Sequence, residues 1–106
     1  MLVLERPCEA VTDIAPEEWV DLHTQIRRTT AALDLVFNPD QYNYSFLMNE
    51  DAQVHLHVIP RYKSSQVWEG IIFEDRQFGS LYATNTVELP PESLARLRDM
   101  IRSRLP

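Results

Sequence analysis

The chain opens on a short apolar run, Leu2-Val3-Leu4, bounded by Glu5-Arg6-Pro7. It reads as a buried strand, and Pro7 ends it because proline offers no ladder donor. A connector follows to Ala15. Pro16-Glu17-Glu18 then makes a favourable first helical turn, with proline at its first position and acids near the positive end of the helix dipole. Ala15 is a poor cap, so Asp13 or Thr12 is expected to help there. Trp19, Leu22, Ile26, Thr29 and Leu33 recur at spacings of three and four, which predicts an amphipathic helix over roughly 16–36. Asn38-Pro39-Asp40 stops it.

The period then changes from helical to alternating. Residues 42–48 alternate and are rich in aromatics, which predicts a strand. Tyr42, Tyr44, Phe46 and Met48 share one face; Asn43, Ser45, Leu47 and Asn49 share the other. Residues 49–52 form a tight polar connection, and 53–59 a second strand, so the two should pair as an antiparallel hairpin. Residues 63–66 read as loop and 67–74 as a short edge strand around Ile71-Ile72-Phe73. Residues 75–88 are weakly patterned, a loop with a strand near Tyr82. Pro90-Pro91-Glu92 opens a last helix, with Leu94, Leu97, Ile101 and Leu105 on its inner face. Arg96, Arg98, Arg102 and Arg104 populate its polar side and final turn.

At 106 residues one domain over 1–106 is the natural count, and a layer of helices on one sheet is the packing such a modest core allows. The formal charge of −6 argues against non-specific DNA or RNA binding, which needs a basic surface, but leaves room for a small phosphorylated ligand held by local donors. Cys8 is the single cysteine, so no internal disulfide can form and a cytoplasmic, reducing compartment fits. No apolar run approaches the roughly 18–20 residues of a membrane span, and the first residues lack the form of a signal peptide.

The segment that carries chemistry is Gln53-Val54-His55-Leu56-His57-Val58-Ile59-Pro60-Arg61. On a strand, Val54, Leu56 and Val58 point into the core, while Gln53, His55 and His57 point the other way. Positions two apart lie roughly 6.5–7 Å apart at the backbone, close enough for two imidazoles to converge on one phosphate. Neutral imidazole is a good nucleophile near neutral pH and can attack phosphorus to form a phosphoramidate that water later hydrolyses. A second histidine can donate to a non-bridging oxygen or to the leaving group. As an isolated His-x-His pattern the signal is weak, and a half-exposed surface pair or half of a metal site competes with it. Zinc would need three or four ligands, and His23 and Cys8 are far off in sequence, so no metal and no cofactor is expected. His23 reads as a helix-surface residue, Trp19 and Trp68 as packing anchors. Arg61 reads as a phosphate contact or as one half of a salt bridge.

In context, residues 55–62, His-Leu-His-Val-Ile-Pro-Arg-Tyr, resemble the signature of the histidine-triad (HIT) family, in which histidines alternate with apolar residues. The "LVLER" strand, the Pro-Glu-Glu helix and the strand ending Leu47-Met48-Asn49 follow the same order, so the resemblance covers residues 2–62. It implies an α+β, HIT-like fold: an antiparallel sheet of about four to five strands with two helices packed on it. It implies His55 as nucleophile and His57 as the histidine that binds and orients the phosphate. Gln53, Asn49, Asn43 and Ser45 are the implied phosphate-binding neighbours. The implied substrates are dinucleoside polyphosphates or nucleoside phosphoramidates, handled by hydrolysis or nucleotidyl transfer at an α-phosphate, and the implied assembly is a homodimer. The sequence departs from the pattern at two places. Gln53 stands at the first triad position, and Pro7 stands where relatives commonly carry a histidine. With the chain starting at Met1-Leu2, the wall that relatives place before the first strand is expected to be missing or supplied by a partner subunit. Two other readings stay open: a non-catalytic nucleotide-binding or scaffold protein on the same fold, and an interaction protein in which the histidine pair is incidental.

Overall fold

The computed structural model describes residues 1–83 and 87–106. Leu2–Val3 (β1) and Gln41–Ser45 (β2) both pair antiparallel with His55–Arg61 (β3), which makes β3 the centre of a three-stranded sheet in the order β1-β3-β2. Leu2 lies opposite Leu56 and Val3 opposite His55. On the other side the register runs from Gln41 opposite Arg61 to Ser45 opposite His57. Val54 and Leu56 are buried, and Cys8, Ile14, Leu4, Val11 and Phe46 pack around Val54. Val58, expected in the same layer, is half-buried.

Helix α1 spans Pro16–Phe37 and lies against β1 and β3, with Ala32 and Leu33 buried. Its start is held neither by Asp13 nor by Thr12. The Glu18 carboxylate accepts the Ala15 N–H at 2.8 Å, and Arg6 grips that carboxylate through Nε and a terminal nitrogen at 2.6 and 2.7 Å. The Arg6 hydrogen bond holds the Glu18 carboxyl down at about 2. The helix ends where Asn38 turns left-handed at φ 44°, its N–H donating to the Asp34 carbonyl at 3.0 Å; asparagine tolerates this conformation, and Pro39 cannot continue the helix. Tyr42 then ties β2 back to the helix by donating to Asp34 Oδ1 at 2.8 Å.

Three expectations are corrected by the backbone. The first strand of the hairpin stops at Ser45 rather than Met48, and Met48 itself is left-handed at φ 37°, which ends the alternation. The second begins at His55 rather than Gln53 and runs on to Arg61, so the connection covers residues 46–54 instead of 49–52. Residues 67–74 are not one strand but most of a hairpin, Gln66–Trp68 (β4) and Ile71–Phe73 (β5). Its turn residues Glu69 and Gly70 both have positive φ, 49° and 77°, the twist that a two-residue hairpin turn requires.

No strand forms at 81–83, near Tyr82, and the rest of that expectation falls on 84–86, outside the described residues. The final helix, Pro91–Arg104 (α2), packs against α1. It is joined to the β4–β5 turn by Glu69, which accepts from Ser93 Oγ at 2.7 Å and from Arg96 at 2.6 and 2.7 Å. Its expected inner face is only half right. Leu97 and Ile101 are half-buried and Ser93 is buried, but Leu94 and Leu105 are exposed. The architecture is α+β, two helices with antiparallel strands. Among the described residues, the strands divide into a three-stranded sheet and a separate hairpin.

Candidate functional site

Alternation along β3 puts His55, His57, Ile59 and Arg61 on one face. Directly opposite residues share a face, so Val3, Ser45 and Asn43 of the neighbouring strands join them. The two imidazoles meet: His55 Nε2 and His57 Nε2 are 3.1 Å apart, with ring centroids at 4.9 Å and planes at 65°. His55 is 8% exposed and His57 half-buried, so the open side of the pair belongs to His57.

For a neutral His55 ring, the hydrogen-bond partners select the tautomer. His55 Nδ1 lies 2.7 Å from the Gln53 carbonyl oxygen. A carbonyl can only accept, so Nδ1 carries the hydrogen and Nε2 of the neutral ring carries the lone pair. The short contact between the rings then requires His57 Nε2–H to donate to His55 Nε2. One nitrogen of His55 is thereby turned into the backbone and the other presented, as a lone pair, toward a neighbouring donor. A neutral ring so held can offer Nε2 to an electrophile that takes the place of the His57 N–H.

The other expected site residues divide. Ser45 faces His57 across the β2–β3 pair. Gln53 sits in the bend before β3, and its amide is fully engaged by backbone. Nε2 donates to the Leu4 and Arg6 carbonyls at 2.7 and 2.8 Å, and Oε1 accepts the Cys8 N–H at 3.1 Å. Asn43 is held by Arg61, whose guanidinium donates to its Oδ1. Asn49 lies in the 46–54 connection, exposed, beyond the point where alternation stops. The structure thus brings His55, His57 and Ser45 onto one patch, and gives the Gln53 and Asn43 amides partners within the protein.

Arg61 is the strongest polar feature that sequence reasoning left unresolved. It is 1% exposed, yet every guanidinium N–H has an acceptor. Nε and a terminal nitrogen grip Asp75 at 2.5 and 3.0 Å; the terminal nitrogens also reach the Gln77 and Ser80 carbonyls at 2.6 and 2.9 Å, besides Asn43. The hydrogen bonds from Arg61 hold the Asp75 carboxyl below the usual carboxylate range, and those to Asp75 push the guanidinium up. Of the two roles open to it, the salt bridge is the one formed. Alternation from His57 announces its face, but nothing in the weak pattern of 75–88 announces Asp75 as its partner.

Comparison with known proteins adds three findings. A family model described as the HIT domain matches residues 1–64. The chain is 26% identical over 109 aligned residues to a bis(5'-nucleosyl)-tetraphosphatase (asymmetrical) of Schizosaccharomyces pombe; the alignment covers 89% of this chain and 60% of that protein, so the chain spans about three-fifths of that relative's length. Two solved structures share the fold. One is a histidine triad protein from Bradyrhizobium japonicum, with TM-score 0.70, 21% identity and coverage of 97% of this chain and 72% of that one. The other is a histidine triad (HIT) protein from Sinorhizobium meliloti 1021, with TM-score 0.69, 23% identity and coverage of 97% and 71%.

Proposed function

The chain belongs to the HIT domain family, and on that premise we propose that it acts on nucleotides at an α-phosphate, as a phosphohydrolase or nucleotidyl transferase working through a nucleotidyl-histidine. The observation that carries this reading is the geometry at His55: Nδ1 lies 2.7 Å from the Gln53 carbonyl oxygen and Nε2 3.1 Å from His57 Nε2, an arrangement that gives a neutral His55 ring a free Nε2 lone pair. In the proposed step His55 Nε2 attacks the α-phosphorus. A P–N bond forms, and the P–O bond to the leaving phosphate chain breaks. His57 Nε2–H, released from His55 as the phosphoryl group arrives, donates to a phosphoryl or leaving-group oxygen. Water, or the hydroxyl of a second acceptor in transfer, then attacks phosphorus and releases its proton to solvent; the P–N bond breaks and its electron pair returns to Nε2. Ser45, opposite His57, supplies a further polar contact near the phosphate, while Asn49 lies off that patch in the connection after β2. The similarity to a dinucleoside tetraphosphatase makes dinucleoside polyphosphates the first substrates to try.

The test is incubation with a dinucleoside tetraphosphate radiolabelled at its α-phosphates, followed by quenching in alkali, where phosphoramidates survive. We expect labelled protein and mononucleotide product from the wild type and neither from His55→Ala. His57→Ala should keep the label but form it about 10²–10⁴-fold more slowly, the usual worth of a positioned proton donor. Equal turnover by wild type and His55→Ala would remove the nucleophile.

A second reading, nucleotide binding without turnover, draws on the engagement of the Gln53 and Asn43 amides inside the protein, which thins the donors around a phosphate. It predicts that AMP raises the Tm while no product forms. With the leading reading we carry a single domain over 1–106, a homodimer and a cytoplasmic location. Their supports are the open sheet edges at β1 and β2, which give a reason to pair, and a buried free thiol at Cys8.

A further inference from the structure

Gln53 departs from the histidine pattern, and it also joins two parts of the fold. Its side chain holds the backbone that leaves β1, through Leu4, Arg6 and Cys8, while its own carbonyl receives the His55 Nδ1–H. Main-chain bonds run alongside: Val54 N–H to the Cys8 carbonyl at 2.8 Å, and Leu4 N–H to the Val54 carbonyl at 3.1 Å. Asp51 Oδ1 accepts the Gln53 N–H at 3.0 Å, so the residue is fixed from both ends of its peptide.

We propose that Gln53 is a positioning residue for His55: its amide locks the place of its own carbonyl, and that carbonyl sets the tautomer and heading of the attacking ring. The inference rests on the nucleophile reading above and deepens it. The argument is one of valence. The three groups facing the side chain are two carbonyls and one N–H. A carboxamide offers two donors and one acceptor at once and satisfies all three. Neutral imidazole offers one donor and one acceptor, and imidazolium offers two donors and no acceptor. A histidine at this position must therefore leave at least one of the three backbone groups without its partner, next to the buried Cys8. A glutamate would bring a carboxylate against two carbonyl oxygens. An amide also does not titrate, so the clamp holds through the pH range in which a histidine would change charge.

The consequence runs against the family pattern. Restoring histidine at position 53 weakens the site instead of repairing it. The experiment uses ¹⁵N-labelled whole chain, wild type, Gln53→His and Gln53→Met, with two readouts. Imidazole nitrogen shifts report the His55 tautomer without any substrate, and steady-state turnover of a dinucleoside tetraphosphate separates kcat from KM. We expect a single Nδ1–H tautomer at His55 in the wild type and a mixture of tautomers in both variants. We expect kcat to fall by about tenfold to 10²-fold, the scale of a misplaced reacting group, while KM moves less than about twofold. Should Gln53→Met not fold, Gln53→Asn keeps the amide but shortens its reach, and the same tautomer mixing is expected there. His55 holding its Nδ1–H tautomer in the variants overturns the proposal. Gln53→His matching or exceeding wild-type kcat overturns it as well. A wild type with no turnover at all removes the nucleophile reading, and the tautomer measurement alone then decides the role of Gln53.

Discussion

Removing the Asp75 carboxylate tests whether the buried Arg61 cluster holds residues 75–80 onto the sheet. Arg61 is 1% exposed, and all of its donors are used. Asp75 is the one anion among its partners, with its side chain 15% exposed. In Asp75→Ala the guanidinium stays buried with its charge uncompensated. Breaking a buried pair from one side costs about 3–5 kcal/mol, and the partial exposure of Asp75 puts the expected loss near the lower end. Arg61→Met removes the charge and keeps most of the apolar stem. It strands Asp75, which can rehydrate, and the acceptors on Asn43, Gln77 and Ser80, so a loss of about 2–3 kcal/mol follows. The double variant leaves no unpaired charge and should lose clearly less than the sum, with a coupling of about 2 kcal/mol.

Urea unfolding followed by far-ultraviolet circular dichroism reads all three. With a slope of about 1.5 kcal/mol per molar, typical of a small domain, a loss of about 3 kcal/mol lowers the midpoint by about 2 M. The same loss is a large part of the roughly 5–15 kcal/mol that holds a domain of this size. If each single variant loses less than about 1 kcal/mol, the range of solvent-exposed pairs, the cluster is no anchor and the reasoning fails. Strict additivity of the two changes would fail it equally.

The acid limb of stability should be set by Glu18, Glu69 and Asp75. Their folded carboxyls lie below the unfolded values, with Glu18 and Glu69 down from 4.5 to about 2, through hydrogen bonds from Arg6, Arg96 and Arg61 respectively. A depressed carboxyl contributes stability that is fully present above its unfolded pKa and lost as pH falls through the folded one. Urea midpoints should therefore fall progressively between about pH 4.5 and 2, and Glu18→Gln should flatten part of that fall; an unchanged acid limb in that variant counts against the Arg6–Glu18 account. At the β4–β5 turn, Gly70 has φ 77° with open space where a Cβ would stand, so Gly70→Ala costs conformational strain alone, about 1 kcal/mol. A thermal melt of that variant that matches the wild type would show that the turn does not need glycine.

How much of this could be read from the chain depends on how far each signal reaches. The α1 stripe is local and repeats over several turns, and Pro16 and Asn38-Pro39 mark its ends, so its span was legible to within a residue. The facing of His55 and His57 is equally local, a consequence of a period of two. The strand ends were not legible. Apolar alternation continues through Phe46 and Met48 after the backbone has left the strand, because a left-handed Met48 leaves no mark in side-chain polarity. β3 starts at His55 because Gln53 is held in a bend by Asp51 and by bonds to residues 4–8, and the latter lie outside any window around residue 53. The face of α2 was misjudged for a related reason. Its apolar stripe does not say which element it meets; the helix lies on α1, and Leu94 and Leu105 are left at the surface.

The same distance dependence explains why the candidate site is thinner than the motif suggests. A phosphate on the face of β3 would need its charge met, and the two arginines flanking the histidine strand are already committed. Arg6 is committed to Glu18 and Arg61 to Asp75. Both pairs link residues far apart in sequence, so a reading by motif counts these arginines as available when the fold has consumed them. What remains on that face is polar and directional: a donor on His57, a lone pair on His55 and the hydroxyl of Ser45. Groups of that kind recognise one phosphoryl group by geometry rather than a polyanion by field strength. On the proposed reading the chemistry depends on how firmly two rings are held, and the proposed source of that firmness is the bend at Gln53, a residue whose side chain faces the backbone of residues 4–8.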